Sequence, residues 1–299
     1  MKNNLLIIGK KSFIGKNLYN YSKKKRPTYV KSFKQFININ QKSLSRFNTI
    51  INCTSNNNYI NKKYDIKNDF DLKIAKKIKN LNTMYIFLSS RKVYKNGTNL
   101  NEKSTIRLKS NYSKNKFITE KKLQKILNNK LLILRVSNVI GIKNKNSRRL
   151  NKTFIDYYFE NIKKGMIFKF NREYKDFLGI DQLTRVLDKV VENKLSGKYN
   201  VSLGKKVYLR DIINWLNYFN LSKYRYIKLK KSLSNESFTL SNKKLLKDIN
   251  FKIIKKDLET ECKKISKIFF KKKKLKKLIY LKLMLKEANS KFLKEVKIF

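Results

Sequence analysis

The chain has 299 residues, enough to bury one large core or a main domain with a smaller lobe, and its 74 Lys and Arg against 20 Asp and Glu give a net charge of +54. Such a charge attracts polyanions, but the lysines run the whole length beside abundant Asn and Ile and a single Pro, which reads as a compositional bias, and no Cys/His set or glycine–aromatic strand pair marks a nucleic-acid module. The absence of His, with only two distant cysteines, Cys53 and Cys262, argues against a zinc centre and a disulfide scaffold and fits a reducing cytoplasm.

The first apolar run, Leu5 to Ile8, is too short for a signal peptide and is bounded by Gly9, as expected of a buried parallel strand. Ile14, Leu18 and Tyr21 recur at helical spacing and predict a helix over Phe13 to Lys23. Strands are expected over Thr28 to Ser32 and over Thr49 to Cys53. Phe70, Ile74 and Ile78, spaced by four, predict a helix over Asp69 to Lys79. Met84 to Leu88 reads as a strand running into Ser89 and Ser90, residues 113–128 have helical character, and Leu131 to Val136 is a buried strand. This alternation predicts an α/β fold with a parallel sheet and right-handed crossovers.

Beyond residue 140 the pattern loosens. Helices are expected over 152–164, 209–219 and 256–270, and short strands over 166–170 and 198–202. No stretch approaches a transmembrane span. The last segment, 271–299, is a basic amphipathic tail with Leu275, Leu278 and Leu281 among lysines. Two readings stand for it: peripheral contact with an anionic membrane, or a helix packed on the body or a partner subunit.

Gly9, Ser12 and Gly15 occupy the three positions of a G-x-x-G-x-x-G loop between the first strand and helix. Such a loop needs a tight turn, close backbone approach to a pyrophosphate and N–H groups at the helix start facing the anion. The chain has only 8 glycines, so two of them in this turn carry weight. After the second strand, TYVKSFK offers no carboxylate for a ribose diol, while Lys31, Ser32 and Lys34 suit a 2′-phosphate, a lean towards NADP(H) over NAD. Ser90 follows a strand and so falls at the carboxyl edge of the sheet, where open α/β folds bind ligands. Tyr112 and Lys116, four apart, share a helix face. An ammonium near a phenol favours the phenolate, which can exchange a proton with a hydroxyl or carbonyl during hydride transfer. By spacing alone a Tyr-x-x-x-Lys pair arises by chance in a chain with 17 Tyr and abundant Lys.

Six segments in fixed order go further: the Gly9–Gly15 loop, LSSRKVYK, the Tyr112–Lys116 pair followed by Glu120, LRVSNVIG, KDFLGIDQL and GKYNVSLG. To about residue 260 the chain resembles the extended short-chain dehydrogenase/reductase family, in particular its NAD-dependent epimerases, dehydratases and reductases of nucleotide sugars. That resemblance implies a Rossmann-type doubly wound parallel sheet with a smaller C-terminal substrate lobe. The NAD(P)-binding domain would span 1–165, with a sheet strand and a helix returning near 175–200, and the lobe most of 166–270. It implies Ser90, Tyr112 and Lys116 as catalytic residues. Gly9, Ser12, Phe13, Ile14, Gly15, Lys31 and Cys53 would join Tyr112 and Lys116 around NAD or NADP. Ser90, Asn138, Arg172 and Lys175 would hold a nucleotide-diphosphate sugar, with Arg148 and Arg149 as further diphosphate candidates. A homodimer is implied and a metal is not.

Departures from the family pattern are specific. Ser12 replaces the middle glycine, Lys95 the glycine after Tyr94, Lys175 an arginine, and Gln182 the second Asp of an Asp-Asp pair, while Leu108 stands where a proline is common. A lysine neutralises a diphosphate but lacks the two-pronged contact of a guanidinium. Arg91 and Lys92 stand where the family's dehydratases carry the Asp-Glu that eliminates water, which argues against that reaction and leaves an epimerase or a 4-keto reductase. The alternatives are a non-catalytic regulatory or scaffold member, against which the intact Ser90, Tyr112 and Lys116 speak, and a polyanion-binding protein, which would have to retain RNA or DNA at physiological salt.

Overall fold

The computed structural model describes residues 3–142, 153–164, 166–169, 173–220, 225–228 and 237–270. Arg148, Arg149, Arg172 and the 271–299 tail lie outside the described residues. In chain order, β1 (Leu5–Ile8), α1 (Phe13–Ser22) and β2 (Thr28–Lys31) form the first crossover, and two short helices follow, α2 (Phe33–Ile37) and α3 (Gln41–Leu44). Then come β3 (Thr49–Asn52), α4 (Asn57–Asn61), α5 (Phe70–Ile78), β4 (Met84–Ser90), α6 (Asn111–Leu127) and β5 (Leu131–Val136). The remainder holds β6 (Asn138–Ile140), α7 (Phe154–Lys163), β7 (Met166–Lys169), β8 (Tyr174–Lys175), β9 (Phe177–Gly179) and α8 (Ile180–Glu192). It closes with β10 (Gly197–Val201), β11 (Val207–Tyr208), α9 (Leu209–Asn217), β12 (Arg225–Lys228), α10 (Lys243–Asp248) and α11 over 255–270.

Six strands pair in parallel in the order β10-β5-β4-β3-β1-β2. This is the parallel sheet that the alternation predicts, in the doubly wound form that the family resemblance implies. The strands alternate their side chains between two cores, as a period of two requires. Leu5, Ile7, Ile51, Ile86, Leu132 and Leu134 meet one layer of helices, including residues of α1 and α8. Leu6, Ile8, Ile50, Tyr85, Phe87 and Ile133 meet the other, with residues of α3, α5 and α6. Because both faces are covered, β1 and β3 are buried at every position.

The chain leaves β1 to build β2 on one side, then returns to build β3 on the other, so the strand order reverses between β1 and β3. Their carboxyl ends diverge there, opening the crevice in which doubly wound sheets bind ligands. Gly9 and Cys53 follow these two strands and frame it. The strand read at 198–202 is β10, and it extends the sheet beside β5. The one read at 166–170 is β7, which pairs outside the main sheet with β12.

The C-terminal lobe is tied to the sheet through Asp176, 0 % exposed. Its Oδ1 accepts from the Leu203 N–H at 3.0 Å, and its Oδ2 from the Gly204 and Leu240 N–H groups at 3.2 and 3.0 Å. Burial pushes this carboxyl up to about 7 in spite of the three donors. Among the described residues, no helix is long and apolar enough to cross a membrane.

Candidate active site

A cleft of about 1380 Å³ opens at the reversal point, with a smaller recess of about 220 Å³ at its floor. A usual small-molecule site measures about 300–1,000 Å³, so the cleft exceeds that range. One end is built by the first strand–helix turn. Gly9 adopts φ 125°, a conformation that side-chain-bearing residues avoid. Its N–H reaches the Lys31 carbonyl at 2.8 Å, and its own carbonyl accepts from the Ser12 N–H at 2.9 Å. Ser12 caps α1, its Oγ accepting from the Gly15 N–H at 2.9 Å. A Cβ on Gly15 would lie 2.7 Å from the Gly9 carbonyl oxygen and 2.6 Å from Ser12 Oγ. Gly15 is therefore required by packing against its own turn, and Ser12 serves that turn as a helix cap.

Gly9, Ser12, Phe13, Ile14 and Cys53 all line the cleft. Gly15 lies directly beneath them, with Cys53 Cβ 3.2 Å from the position of its missing Cβ. Lys31 does not line it: its carbonyl anchors the glycine turn, and the cations at this end are Lys10, Lys11 and Lys34. Ser32 also lines the wall, held with Gln35 in a reciprocal cap of α2. Burial pushes the Cys53 thiol far above its ordinary range, which leaves it an uncharged wall residue.

The other end carries the chemistry-bearing side chains. Ser90 is the last residue of β4; its Oγ accepts from the Lys92 N–H at 3.2 Å. Tyr112 stands in the first turn of α6, and Lys116 one turn on. Ser90, Tyr112 and Lys116 line the recess together, beside Cys53 from the cofactor end. Lys116 is 5 % exposed. Its Nζ donates to the Leu88 carbonyl at 2.9 Å and lies 4.5 Å from the centre of the Phe87 ring.

Immediately behind this group, Glu120 and Arg135 form a buried ion pair, each side chain 1 % exposed. The guanidinium is two-pronged, with Nε to Oε1 at 3.0 Å and Nη2 to Oε2 at 2.6 Å. Ser89 Oγ donates to the same carboxylate at 2.5 Å. Arg135 also lies over the Tyr94 ring, centroid at 4.7 Å, and the Tyr94 hydroxyl donates to Asn200 Oδ1 at 2.8 Å. The pair ties α6, which carries Lys116, to β5, which pairs with the strand that ends at Ser90.

Asn138 lines the cleft at the start of β6. Lys175 is not in its lining: it pairs with Val207 between β8 and β11. Arg91 turns away from the cleft, 8 % exposed, its guanidinium 3.7 Å from the Phe238 ring centroid and donating to Asn96. Lys92 lines the cleft instead, with Nζ 5.8 Å from the Tyr112 ring centroid.

Ser137 escapes the sequence reading. It is 8 % exposed, its Oγ has no partner among the described residues, and it lines both cleft and recess. A buried hydroxyl is rarely left unpaired, so this one is open to a bound water or ligand in the cleft. A lone Ser beside Asn138 offers no sequence signal of that role.

A family model described as the NAD dependent epimerase/dehydratase family matches residues 5–202. No curated protein matches the sequence. Solved structures resemble it in fold. A UDP-N-acetylglucosamine 4-epimerase from Methanobrevibacter ruminantium M1, in complex with UDP-N-acetylmuramic acid, is 18% identical with TM-score 0.73, covering 91% of this chain and 100% of that one. A dTDP-glucose 4,6-dehydratase from Bacillus anthracis in complex with NAD is 14% identical with TM-score 0.68, covering 90% and 96%. RMD from Pseudomonas aeruginosa complexed with NADPH is 16% identical with TM-score 0.68, covering 89% and 97%. At such identities the likeness is one of fold.

Proposed function

The chain belongs to the NAD-dependent epimerase/dehydratase family, and from that premise we propose that it is an NAD(P)-dependent epimerase or 4-keto reductase of a nucleotide-activated sugar. The observation that carries this reading is the meeting of Ser90, Tyr112 and Lys116 in one recess at the sheet's reversal point, continuous with the Gly9–Gly15 turn. A dinucleotide fits the residues present. Residues 9–14 of the turn line the cleft at the N-terminus of α1, and the Ser137 hydroxyl in the same cleft is open to a polar partner. When bound, the nicotinamide supplies hydride transfer to or from a sugar carbon.

The chain's own groups manage the oxygen on that carbon. Ser90 Oγ holds it by a hydrogen bond and stabilises charge as it develops. Tyr112 takes the hydroxyl proton during oxidation and returns one to the carbonyl during reduction. Lys116 brings a positive charge to the recess that Tyr112 also lines. Leu88 and Phe87 hold the lysine in place. Asn138 and Ser137 face the same space and orient the bound groups.

The dehydratase reaction is disfavoured by its missing acid and base. Arg91 packs on Phe238 away from the cleft, and Lys92 brings a cation to the position beside Tyr112. The cofactor end leans towards NADP(H): among the described residues no Asp or Glu lines the cleft there, and Lys10, Lys11 and Lys34 suit a 2′-phosphate. An exchangeable NADP(H) fits a reductase, and a retained NAD fits an epimerase.

The test is an ultraviolet spectrum and mass analysis of nucleotide released from purified protein, followed by turnover of a panel of nucleotide sugars with and without Tyr112→Phe. Losing the proton-transfer group should lower turnover by about 10²-fold or more while cofactor affinity stays within a few-fold. Turnover unchanged in the variant would sink the assignment.

A further inference from the structure

Only 20 of the 299 residues are acidic, yet Asp69 and Asp71 are both buried at the start of α5, 0 % and 3 % exposed. Asp69 has a full set of local duties. Its Oδ1 caps α5 by accepting from the Leu72 N–H, and its Oδ2 accepts from Thr119 Oγ1 at 2.6 Å and from the Tyr64 hydroxyl at 2.9 Å. Asp71 sits inside the helix and caps nothing. Its Oδ1 accepts from the Tyr85 hydroxyl at 2.6 Å and from Asn52 Nδ2 at 2.8 Å. A neutral amide oxygen would accept both bonds, so they do not explain a charge.

Lys116 poses the complementary question. Its ammonium lies against the Phe87 and Tyr59 rings, with centroids 4.5 and 5.6 Å away, and donates to the neutral Leu88 carbonyl. A cation removed from water is costly without a counter-charge. Both groups belong to the same small volume, since Tyr85 and Phe87 project from one strand to one face and Asn52 ends the adjacent strand.

Building on the catalytic reading of Lys116, we propose that Asp71 is its buried counter-charge and positioning residue, holding the ammonium at the recess floor. Asn52 carries the same influence to the cofactor side. While donating to Asp71, its Nδ2 also reaches the Thr54 carbonyl and its Oδ1 accepts the Thr54 N–H, fixing the cleft-lining turn after β3.

The electrostatics agree with this placement. Burial pushes the Asp71 carboxyl up to about 6, Lys116 is the strongest influence holding it ionised, and Asp69 opposes that. The other titratable groups facing it are Tyr85 from β4, Tyr59 from α4 and Cys53 after β3, all pushed up by burial and by these carboxylates. They stay neutral, which leaves Lys116 as the cation opposite two acids. Asp71 is thus ionised at neutral pH and protonated in moderately acid solution.

A double-mutant cycle of Lys116→Met and Asp71→Asn, read as thermal midpoints, tests the pairing without any activity, so its outcome is separable from that of the catalytic reading. At neutral pH, Lys116→Met should lower the midpoint by stranding Asp71, and adding Asp71→Asn should recover part of the loss. Well below pH 6, where Asp71 is protonated, the coupling should vanish. Additive effects at both pH values would overturn the proposal. If Asp71→Asn fails to fold, the penalty of Lys116→Met alone should shrink on acidification, and a constant penalty overturns it equally. In turnover, removing a negative charge favours the deprotonated form of every group that feels it, so Asp71→Asn should move the pH–rate profile to lower pH by about one unit. A slower enzyme with an unmoved profile would make Asp71 structural only.

Discussion

Arg135 shows how one residue behind the cleft lining bears on the site. It is the largest side chain among those fully buried, and its charge is met on two prongs by Glu120. The pair joins α6, which carries Tyr112 and Lys116, to β5, which leads into Ser137 and Asn138. Removing one member strands the other in the interior. Arg135→Met should therefore destabilise by about 3–5 kcal/mol in urea unfolding, whereas Arg135→Met combined with Glu120→Leu should cost distinctly less. A single variant within about 1 kcal/mol of the parent would mean that the pair is not what holds these elements together. Among single residues, those with a motif around them were legible in the sequence: Gly9, Gly15, Ser90, Tyr112, Lys116 and Glu120. Ser137 and Asp71 were not, because an orphan hydroxyl and a counter-charge are defined by what surrounds them in space, and no spacing records it.

At the scale of elements, legibility followed burial. The strands β1, β3 and β5 are apolar on both faces and stand out as runs, while β6, β8, β9 and β11 have two or three residues and leave no period to read. Helix α6 is the instructive case. Its buried side includes Ser113, Asn115, Lys116, Thr119 and Glu120, so the apolar stripe that usually betrays a helix is replaced by polar groups with assigned partners. The sequence accordingly suggests a start at 113, but the helix begins at Asn111. Ser110 explains the difference: its Oγ accepts from the Ser113 N–H at 3.2 Å, and Ser113 Oγ accepts from the Ser110 N–H at 3.0 Å. This reciprocal cap fixes the turn that carries Tyr112. Ser110→Ala should cost about 1 kcal/mol of stability and loosen that turn, so steady-state kinetics should register a fall in kcat with little change in cofactor affinity. A lowered affinity with kcat intact would place the effect at the wrong end of the cleft.

For the whole molecule, the acids that survive in this lysine-rich chain are informative by position. Asp69, Asp71, Glu120, Asp176, Asp188 and Glu261 are all buried, and each meets a cation, a capping position or a hydrogen-bond donor. The excess of lysine has accumulated on the outside, where a cation is solvated and little is lost, and has spared the interior, where a charge reversal would be ruinous. Its physical consequence is self-repulsion across a surface of net charge +54. Screening relieves repulsion between exposed charges over a Debye length of about 10 Å at 0.1 M salt, and it barely reaches the buried pair of Glu120 and Arg135. The thermal midpoint should consequently rise as sodium chloride is raised from low to physiological concentration. Retention of non-specific RNA should fall over the same range, since each released counterion weakens such binding with salt. The two measurements together discriminate: a midpoint insensitive to salt, with RNA retained at physiological ionic strength, would show that the positive surface is organised for a polyanion. A rising midpoint with RNA lost assigns the charge to the surface alone and leaves the cleft at the β1–β3 reversal as the place where the chain does its chemistry.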